Sequence, residues 1–386
     1  MRVLFVHSNA DLYGASRSLL RLAGRLARDG NTVLAVLPYD GPLRPALAAA
    51  GVEVMVRRSL ALLERRVFRN PFVALWLLLR WPFSVAGLVR VIRGFKPGLV
   101  HTNTAVIADA PLAARLAGVP HVQHVREFFT EFGAPWRPYR AFLLACAGRM
   151  VCVSTPVADQ FGGACRVVVI HNGFPRDEFP PVPADRVEAF RARFGLAGLR
   201  AVGVVGRIKA GRKGQDVFVR AAALLRDRRP DLRFLLVGSP FPGNESHLAR
   251  VLALARELGV ADRVVYTGDV EDVHAAYAAL EAVVLPSVRP EPFGGVVVEA
   301  MALGRPVIGT AIGGTVEQVA GGETGILVPP GDATALAAAI ERLLADPGLA
   351  ARMGAAGRER FLARFEFEPF YARMKALYGE LAGGPA

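Results

Sequence analysis

The 386-residue chain is 52% hydrophobic and 21% charged, with 40 Gly and 27 Pro, which describes a globular protein with many short loops. It is long enough for two or three domains with full cores. The formal net charge of +13 comes from 43 Arg and only four Lys. This balance is compatible with anionic substrates or an anionic membrane surface. With no recognisable nucleic-acid module in the sequence, RNA and DNA are excluded as partners. Three cysteines, Cys146, Cys152 and Cys165, form no CxxC pair and no metal-ligand cluster, which suits buried thiols in a reducing cytoplasm.

The opening MRVLFVHSN reads as a first strand over 2–6 rather than a signal peptide. A turn at Gly14 leads into a helix over about 15–28. The pattern then repeats as strand 32–37, helix 42–50 and strand 52–56. Buried apolar strands alternating with helices predict a parallel, doubly wound sheet. Ligands bind such sheets outside the carboxyl ends of the strands, which is where Gly14 falls. No GxGxxG follows the first strand, so a dinucleotide site is not supported.

Residues 57–96 differ in character, with nine basic residues against one acid, Glu64. Phe68, Phe72, Trp76, Trp81, Phe83 and Phe95 are interleaved among them. The apolar run Pro71 to Ile92 approaches the length of a membrane span. Arg80 at its centre would cost at least ~2.5 kcal/mol there, so spanning is rejected. An interfacial basic-aromatic helix resting on anionic lipid is the sharper expectation, and a pair of ordinary packing helices the plainer one.

Strand 98–101 delivers His101, Thr102 and Asn103 at its end, and after a helix over 106–117 strand 120–125 delivers His124, Arg126 and Glu127. These two polar clusters are expected on one rim. Strands near 149–153 and 166–170 close this half, followed by the turn His171-Asn172-Gly173. Residues 174–185, FPRDEFPPVPAD, read as an extended linker.

A second alternation follows, with helix 186–194 and strand 201–205 running into Gly206-Arg207. Lys213-Gly214 precedes helix 215–227. Gly206 and Gly211 have Walker A spacing, but Arg212-Lys213-Gly214 replaces Gly-Lys-Ser/Thr, so there is no hydroxyl for magnesium. Arg207 and Lys213 at a strand-helix turn would neutralise a diphosphate. Strand 232–237, helix 244–258, strand 263–266 and a further helix lead to EPFGGVVVEAMALGRPVIGT, residues 291–310. Here Gly294 and Gly295 open a helix whose bare amides and dipole suit phosphate. Glu291 and Glu299 would accept hydrogen bonds from hydroxyls, as on a sugar; the alternative is an ordinary βα unit with a solvated Glu. Strand 325–328 and Pro329-Pro330-Gly331-Asp332 precede a capped helix, and an amphipathic helix spans about 366–382. No DxD acid pair occurs, so a divalent metal has no evident seat.

Gly206-Arg207, Lys213-Gly214, Thr267-Gly268, EPFGGVVVE and GTAIGGTVEQV with GGETGILVPPGD, in this order, resemble the retaining GT-B glycosyltransferases of family four (glycosyl transferases group 1). The resemblance is strong in the second half. In the first half it rests on Gly14, His124 and Asn172-Gly173, and Tyr13 stands where the family often has Gly. It implies an α/β fold of two Rossmann-like domains facing a central cleft: 1–173 on the acceptor side, linker 174–185, and 186–365 binding the nucleotide-sugar. Helix 366–386 is expected to pack back on the first domain.

Carried over by position, Arg207 and Lys213 hold the donor diphosphate, Glu299 the ribose hydroxyls and Glu291 the transferred sugar. Phe293, Gly294, Gly295 and Val296 contact sugar and phosphate, Val270 the base, and Gly14 and Ala15 the phosphates from the first domain. His124 resembles the family's active-site His, which with Glu291 makes the expected catalytic pair. The expected activity is metal-independent transfer with retention from a UDP- or GDP-sugar to a glycan or lipid-linked acceptor, with no cofactor besides the donor. A cytoplasmic enzyme, peripheral on the inner membrane face through residues 57–96, is the expected setting. A GT-B nucleotide-sugar epimerase or a catalytically silent nucleotide-binding scaffold are the alternatives.

Overall fold

The computed structural model describes residues 1–63, 67 and 70–383. The chain divides into two compact units, Met1–Gly173 together with Glu368–Ala386, and Phe174–Phe367. The first unit carries β1 (Arg2–Val6), β2 (Thr32–Leu37), β3 (Glu53–Val56), β4 (Leu99–Thr102), β5 (His121–Val125), β6 (Arg149–Cys152) and β7 (Val167–Val169). The second carries β8 (Arg200–Val205), β9 (Leu232–Val237), β10 (Val264–Gly268), β11 (Ala282–Leu285), β12 (Val307–Thr310) and β13 (Gly325–Val328).

All pairings are parallel, in the orders β3-β2-β1-β4-β5-β6-β7 and β10-β9-β8-β11-β12-β13. The order reverses beside β1 in the first sheet and beside β8 in the second. These are the switch points where strand ends diverge and leave a crevice. Central strands such as β1 and β11 are apolar along their whole buried length because helices cover both faces. In the second unit, Phe218, Leu225, Ile340 and Leu343 cover one face, and Tyr277, Val297, Met301 and Phe361 the other.

Two elements differ from the sequence expectation, residues 174–185 and β11. Residues 174–185 are not an extended linker: Phe174 and Phe179 are buried in the second unit's core, and Phe174 N donates to Phe365 O (2.9 Å). Aromatic burial here outweighs the proline signal. Pro71–Phe95 is one continuous helix, as the sharper expectation had it and not the alternative pair, with Pro82 inside it. Asn70 caps it through Phe72 N (2.9 Å), and Pro71 occupies the first turn, where its missing N–H costs nothing. Residues 64–66 and 68–69, within the basic stretch, lie outside the described residues. Finally, β11 was not anticipated as a strand, although it carries the chain into the Glu291 loop.

The last helix, Phe367–Ala382, belongs to the first unit from Glu368 onward. Tyr378 is buried and its hydroxyl lies 2.5 Å from His101 Nδ1. Tyr371 donates to Asp29 (2.7 Å), and Arg373 to the Val169 carbonyl (2.7 Å).

Candidate active site

In the second unit, the turns carrying Arg207, Lys213 and Glu291 follow the two strands at the switch point, whereas Val270 follows the edge strand β10. Arg207 and Lys213 follow β8, and Glu291 to Glu299 follow β11, the strand paired with β8. Lys213 can sit there because Gly214, at φ +71°, passes directly under the end of β11; a Cβ at Gly214 would lie 1.8 Å from the Pro286 carbonyl oxygen. Gln215 locks the same turn, accepting from Lys209 N (3.3 Å) and donating to Arg207 O (3.1 Å).

Lys213 Nζ lies 2.9 Å from Glu291 Oε2, and Ser287 Oγ donates to Glu291 Oε1 (3.0 Å). The Lys side chain is 30% exposed and the Glu 10%, so the pair is reachable from solvent mainly on its cationic side. Lys213 was expected on the diphosphate and Glu291 on the sugar; the structure pairs them. Arg207 is placed nearby in sequence but directs its guanidinium over the Phe241 ring, 5.0 Å from the centroid. Stacking on the ring fixes the plane of the guanidinium.

The Glu291 loop is held from below by glycines. Gly314 N donates to Glu291 O (2.7 Å), and a Cβ at Gly313 (φ +62°) would come within 2.5 Å of that same oxygen. Helix Gly295–Ala302 then starts beside it. Gln318 clamps the Gly294 peptide, accepting from its N–H (3.2 Å) and donating to its carbonyl (3.0 Å). The Gly294 amide, expected to face phosphate, is therefore engaged by Gln318. Gly295 and Val296 stand in the first helical turn, where no intrahelical acceptor exists for the amides.

Phe293 packs between Phe174 (centroids 6.4 Å) and Phe365 (5.9 Å), and Val270 and Val296 are half-buried against the same core. Glu299, one turn into the helix, accepts from the Tyr277 hydroxyl (2.7 Å). Ser287, Gln318 and Tyr277 escaped the sequence reading. Only Gln318, in the GGTVEQV run, lay inside a quoted motif.

In the first unit, Gly14 opens helix Gly14–Arg28 and Ala15 offers its carbonyl to Asn103 Nδ2 (3.0 Å). No atom lies within 4 Å of a Cβ built on Gly14, which leaves space at the helix start. Around this turn lies a buried polar network whose hub is Arg126. It donates to Asn172 Oδ1 (2.6 Å), Ser18 Oγ (2.9 Å), Asn103 O (3.0 Å) and His124 Nδ1 (3.4 Å). Because Nδ1 of His124 accepts, its proton resides on Nε2, which has no hydrogen-bond partner among the described residues. His7 accepts from Asn103 at Nδ1 (3.2 Å) and lies 2.9 Å from Ser16 Oγ, which donates to Asp11 (2.7 Å).

Burial holds these imidazoles uncharged. It pushes His7 and His121 down to about 3, the Arg126 cation reinforcing the effect at His7. His101 and His124 lie well below the ordinary value for the same causes, burial first and then Arg126. Burial also pushes Glu127 up to about 7, against amide hydrogen bonds from Arg126 and Ala105.

The signs oppose each other. Each His takes up a proton in the unfolded chain below about pH 6.5 that the folded chain refuses, so its contribution is full above 6.5 and is lost on acidification. Glu127 keeps a proton in the folded chain up to about pH 7, so its contribution is full at low pH and lost as pH rises towards 7. The histidines outnumber it. The unfolding free energy from urea titration is expected to fall between pH 6.5 and 5, by about 1.4 kcal/mol per pH unit for each net proton, lowering the midpoint. A midpoint that is flat or rises on acidification contradicts the buried neutral histidines.

Two parallel doubly wound sheets of these orders, with cationic and Gly-rich turns at their switch points, define the GT-B class of α/β fold. The structure of Anabaena HepE in complex with UDP superposes with a TM-score of 0.84, at 24% identity over 99% of this chain and 100% of that one. Residues 13–178 match Glycosyltransferase Family 4, and residues 200–346 match Glycosyl transferases group 1. The chain is 33% identical over 297 residues to the D-inositol 3-phosphate glycosyltransferase of Streptomyces avermitilis, covering 70% of this chain and 63% of that protein. It is 32% identical over 271 residues to the 2-deoxystreptamine glucosyltransferase of Streptomyces kanamyceticus, covering 64% and 67%. The match thus spans just under two thirds of the first relative and two thirds of the second. The chain belongs to the family 4, group 1, glycosyltransferases.

Proposed function

We propose that the protein transfers a sugar, with retention and without a metal, from a UDP- or GDP-sugar to a hydroxyl of a glycan or lipid-linked acceptor. The observation that carries this reading is the Lys213–Glu291 pair set against the Gly295 helix start at the switch point of the second sheet. In it, a donor diphosphate takes Lys213 and Arg207 as its counter-charges, with the first-turn amides of the Gly295 helix as additional donors. As the sugar–phosphate bond breaks, negative charge grows on the leaving diphosphate, and fixed cations there favour the transition state over the bound donor.

Glu291, released from part of its pairing with Lys213, accepts from sugar hydroxyls, and Glu299 from ribose hydroxyls, with Tyr277 fixing its rotamer. His124, buried in the first unit with its proton on Nε2, is uncharged. The two relatives are named for D-inositol 3-phosphate and for 2-deoxystreptamine. Both are ring polyols, which supports a polyol hydroxyl as the acceptor group.

A thermal-shift screen against UDP-, GDP- and ADP-sugars tests the donor class. One nucleotide is expected to stabilise the protein, by about 2.7 kcal/mol at a hundredfold excess over its Kd. In Glu299→Ala the shift with that donor is expected to shrink by at least half, while the ligand-free melting temperature moves little. Unchanged donor affinity by calorimetry removes the ribose contact.

A further inference from the structure

The helix Pro71–Phe95 presents two different faces along its length. Its second half is core: Val85, Leu88, Ile92 and Phe95 pack with Leu4, Val6 and Val100 of the first sheet. Ser84 anchors it by donating to buried Asp109, which also accepts from Ala61 N (3.0 Å). Its first half does the opposite. Phe72, Leu75, Trp76, Leu79 and Phe83 recur at helical spacing along one stripe, and they are 80%, 55%, 56%, 64% and 78% exposed. Further along the same solvent side the stripe turns cationic, with exposed Arg90, Arg93 and Lys96, while Arg80 stacks on Trp76 at 4.4 Å. Beside the stripe lies an apolar cavity of about 540 Å³, lined by Leu60, Leu62, Phe72, Val73, Trp76 and Leu77.

The geometry points to this stripe as the surface by which the protein docks onto an anionic lipid bilayer, lying in the interface with its first three turns among the acyl chains. The helix is long and apolar enough to cross a membrane. Spanning would strip Val85, Leu88 and Ile92 from the core, so the helix lies in the interface instead. An amphipathic helix with aromatic and leucine residues on one side and arginines flanking them is built for that depth. The occupant is chosen by charge. Residues 57–96 hold nine basic residues against one acid, so a second copy of the same face is repelled, whereas anionic headgroups are attracted. The cavity has the apolar lining and the position to receive part of one acyl chain.

The inference stands apart from the donor chemistry and is tested separately from it. Full-length protein is sedimented with vesicles of phosphatidylcholine alone or with 30% phosphatidylglycerol. At least tenfold tighter binding to the anionic vesicles is expected, weakened by 1 M salt. Leu75→Glu with Leu79→Glu is expected to lose that binding at least tenfold, with an unchanged melting temperature and an unchanged shift with the nucleotide-sugar. Should that variant misfold, quenching of Trp76 fluorescence by brominated lipid in the otherwise unaltered protein, lost in Trp76→Phe, reads insertion directly. Binding that ignores phosphatidylglycerol, or the absence of both binding and quenching, overturns the proposal. So does a solution dimer that Leu75→Glu with Leu79→Glu dissociates, which would make the stripe a protein interface.

Discussion

Lys213→Ala is expected to lower kcat/KM for sugar transfer by about 100- to 1000-fold, roughly 2.7–4 kcal/mol, the range seen when one fixed donor to a developing anion is removed. The loss of stability should be much smaller. Lys213 is 30% exposed, so its ion pair with Glu291 contributes on the order of 1 kcal/mol, and Ser287 still hydrogen-bonds the carboxylate. The comparison that separates the two roles is Lys213→Ala combined with Glu291→Gln. If Lys213 served only to neutralise Glu291, removing that charge would restore turnover. The double variant is expected to remain as inactive as the single one, because the diphosphate still lacks its counter-charge. Near-normal turnover in Lys213→Ala would remove the cation from the mechanism.

Gly214→Ala should produce the largest loss of stability of any single methyl group in the second unit. The residue adopts φ +71°, which costs a non-glycine residue about 1–2 kcal/mol. The added Cβ would also stand 1.8 Å from the Pro286 carbonyl, which belongs to backbone and cannot swing aside as a side chain can. Relief requires the β8–helix turn to move away from β11, carrying Lys213 off Glu291. We expect at least about 3 kcal/mol of destabilisation and a melting temperature lower by roughly 6–12 °C for a unit of this size. Donor affinity should be lost in whatever fraction remains folded. Gly211→Ala, at φ +73° but with no atom within 4 Å of its Cβ, should cost only the backbone strain. Equal effects at the two positions would show that the Pro286 contact is unimportant.

Much of this architecture is readable without coordinates, for a physical reason. Strands buried on both faces are mostly apolar, so β1, β2, β8 and β9 stand out as short runs between glycine and charged turns, and their ends follow within a residue. β11 is harder to see. AVVL is four residues long and follows an alanine-rich helix with no glycine or proline break before it. The Pro71–Phe95 helix is legible in its apolar run, and Pro82 does not break it because proline is tolerated where its missing hydrogen bond faces solvent, and Pro82 is exposed. Residues 174–185 were misread because the prolines spoke louder than Phe174 and Phe179.

The donor-site residues announced themselves because glycine and charge at a strand end have few other uses. Their supports did not. Gln318 clamps a peptide 24 positions away, Tyr277 hydrogen-bonds Glu299 across 22, and Tyr378 meets His101 across 277. Such partners are set by the packing of distant elements, and nothing local in the chain marks them. The pairing of Lys213 with Glu291 was hidden for the same reason: each had an evident ligand role alone.

The union of His101 with Tyr378 also bears on how the protein is made. A ribosome emits the first unit's seven strands, then all of Phe174–Phe367, and only then the helix that completes the first unit. At 5–20 residues per second, the 277 positions between them mean that His101 waits roughly 14 to 55 seconds for its partner. The second unit, uninterrupted in sequence, can finish folding during that interval. Synthesis therefore runs against the usual order, with the unit begun first sealed last. A nascent chain cut short before residue 378 would carry one finished unit and one with an open polar seam, a state that proteases and chaperones can distinguish from the complete protein.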